Sequence, residues 1–188
     1  MEHEASAASP EPPVAGSNDP VLIAYDGSEP AQNAIAHAAR LFPGSPALVA
    51  TVWRSIRPAA GAARAALPDD IIHEAVARLD ATAEADALRT AQDGAGRARS
   101  AGMSASPLVI CAEPSVWASL IAAARTHEAR AVVVGSRGRS GLRSAVLGSV
   151  SNALVHHCRL PVVVVQPADY EEVPPDSANA APHDSGNG

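Results

Sequence analysis

The residues best suited to chemistry lie in one run: Gly135-Ser136-Arg137-Gly138-Arg139-Ser140-Gly141-Leu142-Arg143-Ser144-Ala145-Val146-Leu147-Gly148-Ser149. The run leaves the apolar stretch Ala131–Val134, which reads as a buried strand, and enters a segment with helical spacing from Ser149. Gly135 and Gly138 permit positive φ and let backbone N–H groups come close to a ligand. Gly148 and Ser149 offer unpaired N–H groups and a hydroxyl at a helix start, where the helix dipole favours anions. Arg137, Arg139 and Arg143 place positive charge beside them. These parts suit a phosphate. The competing reading is a glycine-rich turn with solvated arginines, and Arg143 fits that description better than a ligand contact. The Lys-bearing phosphate loop GxxxxGK[ST] is absent, the chain has no Lys at all, and GxGxxG does not occur.

The elements that must hold this loop alternate. Strands are expected at Val21–Tyr25, Ala47–Trp53, Ser106–Cys111, Ala131–Val134 and Leu160–Val165, all apolar and rich in β-branched residues. A first helix, capped by Ser28 with Pro30 in its first turn, aligns Ala31, Ala34, Ile35, Ala38 and Phe42. A long second helix opens after Pro68-Asp69-Asp70 and brings Ile72, Val76, Leu79 and Ala83 to one face. Glu74–Arg78 and Asp93–Arg97 are expected i,i+4 pairs, Asp86 falls near the apolar face, and Gly94, Gly96 and Gly102 weaken the helix end. A third helix from Pro114 turns Val116, Leu120, Ile121 and Ala124 inward, and a short fourth helix carries Val150, Ala153, Leu154 and His157 on one side. Strand–helix alternation of this kind predicts an α/β fold, a doubly wound five-stranded parallel sheet with helices on both faces.

Charge divides along the chain. The formal net charge is −6, from 20 acids against 14 cations, all of them Arg. Every Arg lies between Pro20 and Pro167, where 11 acids leave a net +3; residues 1–19 carry −4 and residues 168–188 carry −5. Those two acidic segments have almost nothing to bury and are expected to be disordered tails around one domain at 20–167. The charge and the five aromatic residues exclude a dense basic duplex-binding face and a base-stacking series, so no nucleic-acid partner is expected. No apolar run reaches membrane-spanning length, so no membrane association is expected. The opening MEHEASAASPEPP has neither a basic n-region nor an apolar stretch, and there are only two Cys; a reducing cytoplasmic setting is expected.

The chain resembles the universal stress protein family over about residues 20–167. The resemblance rests on VLIAYDGSEPAQNAIAHAA at the start and VVVGSRGRSGLRSAVLGSVSNALVHHCRLPVVVV at the end. Nucleotide-binding members of that family carry glycine, two residues, glycine, nine residues, glycine, then Ser or Thr; Gly135, Gly138, Gly148 and Ser149 keep those intervals. The resemblance implies the strand order 3-2-1-4-5, ATP as ligand, a homodimer built around the last strand, and a regulatory role in the stress response. It assigns Asp26 to the ribose and to any metal, Mg being the candidate, and Ala24 to the adenine pocket. Val52 would read the adenine edge through its backbone. Val134, Gly135, Arg137 and Gly138 would surround the ribose and phosphates, and Gly148, Ser149 and Val150 would hold the phosphates at the helix start; Arg139 joins the expected site through its charge on the loop. Departures from the family pattern are Arg130, Ala112 and Tyr25, the last adding bulk beside Asp26.

Other readings stand beside this one. Asp26 also suits a turn-stabilising role in Asp26-Gly27-Ser28, and Ser149 is expected to cap the fourth helix whether or not it contacts a phosphate. A slow ATPase or self-phosphorylating enzyme would need a base that the loop does not offer, and nothing selects among Ser140, Ser144 and Ser149 as nucleophile. A dimeric module that binds no nucleotide is the third reading. His156, His157 and Cys158 point about 100° apart on a helix and do not converge on one ion. Cys111 and Cys158 fall at opposite sheet edges and are not expected to pair. Trp53 and Trp117 read as packing residues.

Overall fold

Val21, Leu22 and Ile23 are each 0% exposed, because the strand they form has a neighbour on either side and helices on both faces. The computed structural model describes residues 19–56, 69–138 and 147–166, so the two acidic tails, Arg139, Ser140, Arg143 and Ser144 lie outside the described residues. The elements in chain order are β1 (Val21–Ala24), α1 (Glu29–Leu41), β2 (Pro46–Trp53), α2 (Asp69–Ser100), β3 (Ser104–Cys111), α3 (Val116–Thr126), β4 (Ala131–Gly135), α4 (Ser149–His157) and β5 (Val162–Val165). The sheet is wholly parallel with the order β3-β2-β1-β4-β5. This is the doubly wound sheet and the order expected.

The period of two along a strand sorts the core into two layers. Val21, Ile23 and Tyr25 face α1 and α2, packing with Ala31, Ala34, Ile35 and Ala38 of α1 and Ala95 and Ala98 of α2. Leu22 faces the other way, with Leu120 and Ala124 of α3 and Leu154 of α4. The helical faces expected for α1 and α3 are thus the buried ones, apart from partly exposed edges.

α2 departs from its expected face by one residue. Ile72 and Val76 are buried, but Leu79 is 57% exposed and Asp80 is 7% exposed in its place. The carboxylate is turned inward because it has donors there: Ser55 Oγ at 2.6 Å and the Ile56 N–H at 2.9 Å. The helix continues through Asp86, which is exposed and pairs with Arg89, and it runs through Gly94 and Gly96 to Ser100. Both expected ion pairs form, Arg78–Glu74 at 2.5 Å and Arg97–Asp93 at 2.8 Å. Arg130 lies over the Phe42 ring at 5.8 Å and donates to Ser45 Oγ at 3.3 Å, which gives this departure from the family pattern a packing role.

Tyr25 is buried on the α2 side, 3% exposed, and its hydroxyl donates to Asp93 Oδ2 at 2.7 Å. Burial and the bond to Asp93 push the phenol up to about 12, and the same bond, followed by that from Arg97, holds the Asp93 carboxyl below its ordinary value. In the unfolded chain the phenol ionises near pH 10. Between pH 10 and 12 unfolding therefore releases a proton, and the stability contributed by Tyr25, complete below pH 10, is lost as pH rises. The loss is about 1.4 kcal/mol per pH unit, or roughly 2–3 kcal/mol across the window. Denaturant titrations at pH 9 and pH 12 should show the stability gap between the parent and Tyr25→Phe closing by that amount; a constant gap would show that the phenol does not ionise differently in the two states. On the acid side, the contribution of Asp93 is lost as pH falls below the ordinary carboxylate range.

Candidate functional site

β1 and β4 are neighbours, but the chain leaves them in opposite directions, into α1 on one face and towards α4 on the other. A crevice opens at such a reversal, outside the carboxyl ends of the strands. Here it is a cleft of about 220 Å³. Its apolar part is built by Ala24 of β1, Ala50 and Val52 of β2, Val134 of β4 and Val116 and Leu120 of α3. Its polar part is built by Asp26, Gly135, Arg137 and Gly138 on the β1 and β4 exits, and by Gly148, Ser149, Val150 and Ser151 at the start of α4. Ten of the eleven expected site residues line this one cleft, from Ala24 to Val150; Arg139 lies outside the described residues. Sequence reasoning missed Ala31, Ala50, Val116, Leu120 and Ser151. Ala50 carries a signal, being two residues before Val52 on the same strand face, and the first turn of α3 had one in its place at the carboxyl edge of the sheet.

Asp26 does two things. Its Oδ1 accepts from the Ser28 N–H at 3.0 Å and from Ser28 Oγ at 2.5 Å, fixing the turn in which Gly27 adopts φ +83°. Its Oδ2 lies beside Gly138, where an added Cβ would come to 2.9 Å. The turn-stabilising reading and the site reading therefore use different oxygens of one carboxylate. Ser28 occupies the N-cap position of α1 but makes no capping bond, because its hydroxyl is committed to Asp26.

The loop glycines are needed for closeness rather than for positive φ. Among the described glycines only Gly27, Gly44 and Gly102 have φ in the left-handed region. A Cβ at Gly135 would lie 2.8–2.9 Å from Pro30 backbone and side chain, because the first turn of α1 rests on the end of β4. Gly148, with φ −62°, is itself the N-cap of α4, so Ser149 is the first helical residue and not the cap expected. The hydroxyl that serves this helix start is that of Ser151, which donates to Ser136 O and Gly148 O at 2.9 Å each. Ser149 is exposed and faces the cleft.

Ser136 closes the loop at its base. Its N–H donates to Val165 O at 2.7 Å, and its carbonyl accepts from the Gly148 N–H at 2.7 Å as well as from Ser151, so the Gly148 N–H is bonded within the loop base and is not the unpaired donor expected. The two described ends of the loop are thereby held together at the cleft, with Arg137 and Gly138 on one side and Gly148 on the other.

Tyr25 does not crowd the apolar slot. Its ring packs against Gly94 and Val49 on the α2 face, opposite to Ala24 and Val52, since adjacent residues leave a strand on opposite sides. His157 stacks on Trp117 at 4.7 Å between ring centroids, which makes both of them packing residues between α4 and α3. Cys111 and Cys158 are free thiols. Asp26 is the one carboxylate among the described cleft residues. A single carboxylate fits a Mg ion only as the companion of phosphate groups, which would complete its oxygen shell.

A model of the universal stress protein family matches residues 17–166. The chain belongs to the universal stress protein family. Two curated relatives, Universal stress protein Rv2005c of Mycobacterium tuberculosis and Universal stress protein Mb2028c of Mycobacterium bovis, are each 52% identical to it over 42 residues, which cover 22% of this chain and 14% of those proteins. The chain thus matches a small part of the curated relatives' length. Among solved structures, the universal stress protein UspA of Lactobacillus plantarum superposes with a TM-score of 0.61 at 16% identity, covering 79% of this chain and 97% of that one. A universal stress protein of Archaeoglobus fulgidus gives 0.52 at 21% identity over 78% and 93%. A universal stress protein in complex with cAMP gives 0.52 at 20% identity over 80% and 98%. These universal stress proteins share the fold. No described helix of this universal stress protein is long and apolar enough to cross a membrane.

Proposed function

We propose that this universal stress protein binds ATP in the β1–β4 cleft and acts as a cytoplasmic regulatory module of the stress response, with the nucleotide as a bound signal. The observation that carries the proposal is the pairing, in one crevice at the reversal of strand order, of an apolar slot with a loop of close-packed glycines that ends on a helix N-terminus. The slot formed by Ala24, Val52, Leu120 and Val134 suits a flat purine, and the helix start at Gly148 and Ser149 suits its phosphates. Asp26 would take the ribose hydroxyls, and Mg where it accompanies the phosphates. Arg137 and Arg139 would add charge to the phosphate end. That one fold relative was solved with cAMP supports an adenine nucleotide as the ligand class. A signalling role follows if nucleotide favours one of two conformations with different partner affinity. A homodimer across β5 would cover an edge strand that is otherwise open to pairing. The domain would span residues 20–167, with acidic tails outside it.

Mass spectrometry of small molecules released from the purified protein tests the ligand. ATP or ADP in the released fraction, and saturable titration heat with ATP at millimolar concentration or below, are expected. Absence of both would remove the nucleotide reading and leave a dimeric module without ligand.

A further inference from the structure

Asp26 sits between two residues that are both fixed from α2. On its amino side, Tyr25 is held by its backbone to β2, with its N–H on Ala50 O at 2.8 Å and its carbonyl accepting from Thr51 Oγ1 at 2.9 Å. Its hydroxyl donates to Asp93 Oδ2 at 2.7 Å. On the carboxyl side, Gly27 O accepts from Gln32 Nε2 at 3.1 Å, and Gln32 Oε1 accepts from Arg97 Nη1 at 3.4 Å. Arg97 Nε donates to the same Asp93 Oδ2 at 2.8 Å. Both arms of this chain of bonds therefore end on one carboxylate oxygen, and the turn 25–27 is clasped between them.

None of Asp93, Arg97 and Gln32 lines the nucleotide cleft itself; Asp93 borders an adjoining hollow that shares Asp26 and Gly138 with it, and its bonded connection to the cleft runs through the turn. The Arg97–Asp93 pair alone is half exposed and of little worth as a surface ion pair. Its joint commitment to Tyr25 and Gln32 gives it a different use. The Asp26 carboxylate is held within this turn by the Ser28 N–H and hydroxyl on Oδ1, with Oδ2 2.9 Å from where a Cβ added at Gly138 would lie.

We propose that Asp93 is a positioning residue for ligand recognition: through Tyr25 on one side and Arg97–Gln32 on the other, it fixes the turn that presents Asp26 to the cleft. The ligand half of this inference rests on the nucleotide reading above, and the geometric half does not.

The test uses the full chain and two readouts. ATP affinity is measured for the parent, Asp93→Ala, Asp26→Ala and the double variant. Asp93→Ala is expected to weaken ATP about five- to tenfold in the parent and less than twofold in the Asp26→Ala background, since residues acting through one another are not additive. Equal losses in both backgrounds would overturn the proposal. Independently of any ligand, the Ser28 amide, which donates to Asp26 Oδ1, should lose hydrogen-exchange protection in Asp93→Ala. Unchanged Ser28 protection in the folded variant would also overturn it. If the parent binds no ATP, the nucleotide reading fails and the Ser28 amide alone decides the geometry. Should Asp93→Ala not fold, Tyr25→Phe, which keeps the ring, cuts one arm and is read in the same way.

Discussion

Gly148→Val is expected to abolish ATP binding while leaving the domain folded. The Gly148 backbone already lies close to the base of the loop: a Cβ there would be 3.2 Å from Ser136 O and 3.5 Å from Arg137 Cα. The carbonyl it would crowd is the one that receives the Gly148 N–H and the Ser151 hydroxyl, so the two methyls of Val pry apart the junction that holds both ends of the loop. The helix-start N–H groups would then no longer face the same point as Arg137 and Gly138. A loss of at least about 100-fold, roughly 2.7 kcal/mol, is expected by titration. The site lies outside both core layers, and its φ of −62° is one that Val adopts. A stability loss of only about 1–3 kcal/mol is therefore expected, with an unchanged far-ultraviolet spectrum. Affinity retained within threefold would show that phosphate groups do not sit at this helix start.

Gly94→Ala is expected to destabilise the fold, although helix propensity alone favours it. In an exposed helix interior, Ala in place of Gly gains about 1 kcal/mol. At Gly94, however, the added Cβ would come to 2.6 Å from Tyr25 Cδ1 and 2.7 Å from Val49 Cγ1, both in the packed layer under α2. The helix or the ring must move, and overpacking of this kind costs about 1–3 kcal/mol. Gly94→Leu should cost more still. The control is two residues away: at Gly96 the nearest atom to a new Cβ is the Arg99 Nη2 end at 4.0 Å, so Gly96→Ala should stabilise by up to about 1 kcal/mol. Denaturant midpoints of the two variants moving in opposite directions would establish the close approach. A gain in both would show that α2 stands farther from the sheet.

Those two glycines also show where sequence is informative and where it is not. The strand–helix alternation and the phosphate-suited loop from Gly135 to Ser149 are legible in the residues themselves, because buried parallel strands and spaced glycines leave strong marks, whereas the sheet order and the places of Ala24, Asp26 and Val52 around the cleft come from the family resemblance. The identity of the inward residue at 79 or 80 was not. Leu79 and Asp80 both continue a helical stripe from Ile72 and Val76, and only the presence of the Ser55 and Ile56 donors turns the carboxylate inward. Glycine in α2 looked like a weakness in the helix; its reason, contact with Tyr25 and Val49, is tertiary and has no local signature. The shift of the cap from Ser149 to Gly148 has the same origin, since the Ser151 hydroxyl finds Ser136 O only across the closed loop.

The inner side of α2 is nearly bare. Ala87, Ala91, Gly94, Ala95 and Ala98 are buried, and none of them has a rotamer to lose. Docking this helix thus carries almost no side-chain entropy penalty along that stretch, but it also removes little apolar area from water per residue. Along that stretch its hold on the sheet rests on dispersion contacts at short range, which lose about a quarter to a half of their strength with a gap of about 0.5–1 Å, while Asp80 and Asp93 fasten the helix by hydrogen bonds. The helix that clasps the Asp26 turn is therefore sensitive to small displacements along this bare stretch, so bulk added there should loosen the clasp as well as the core.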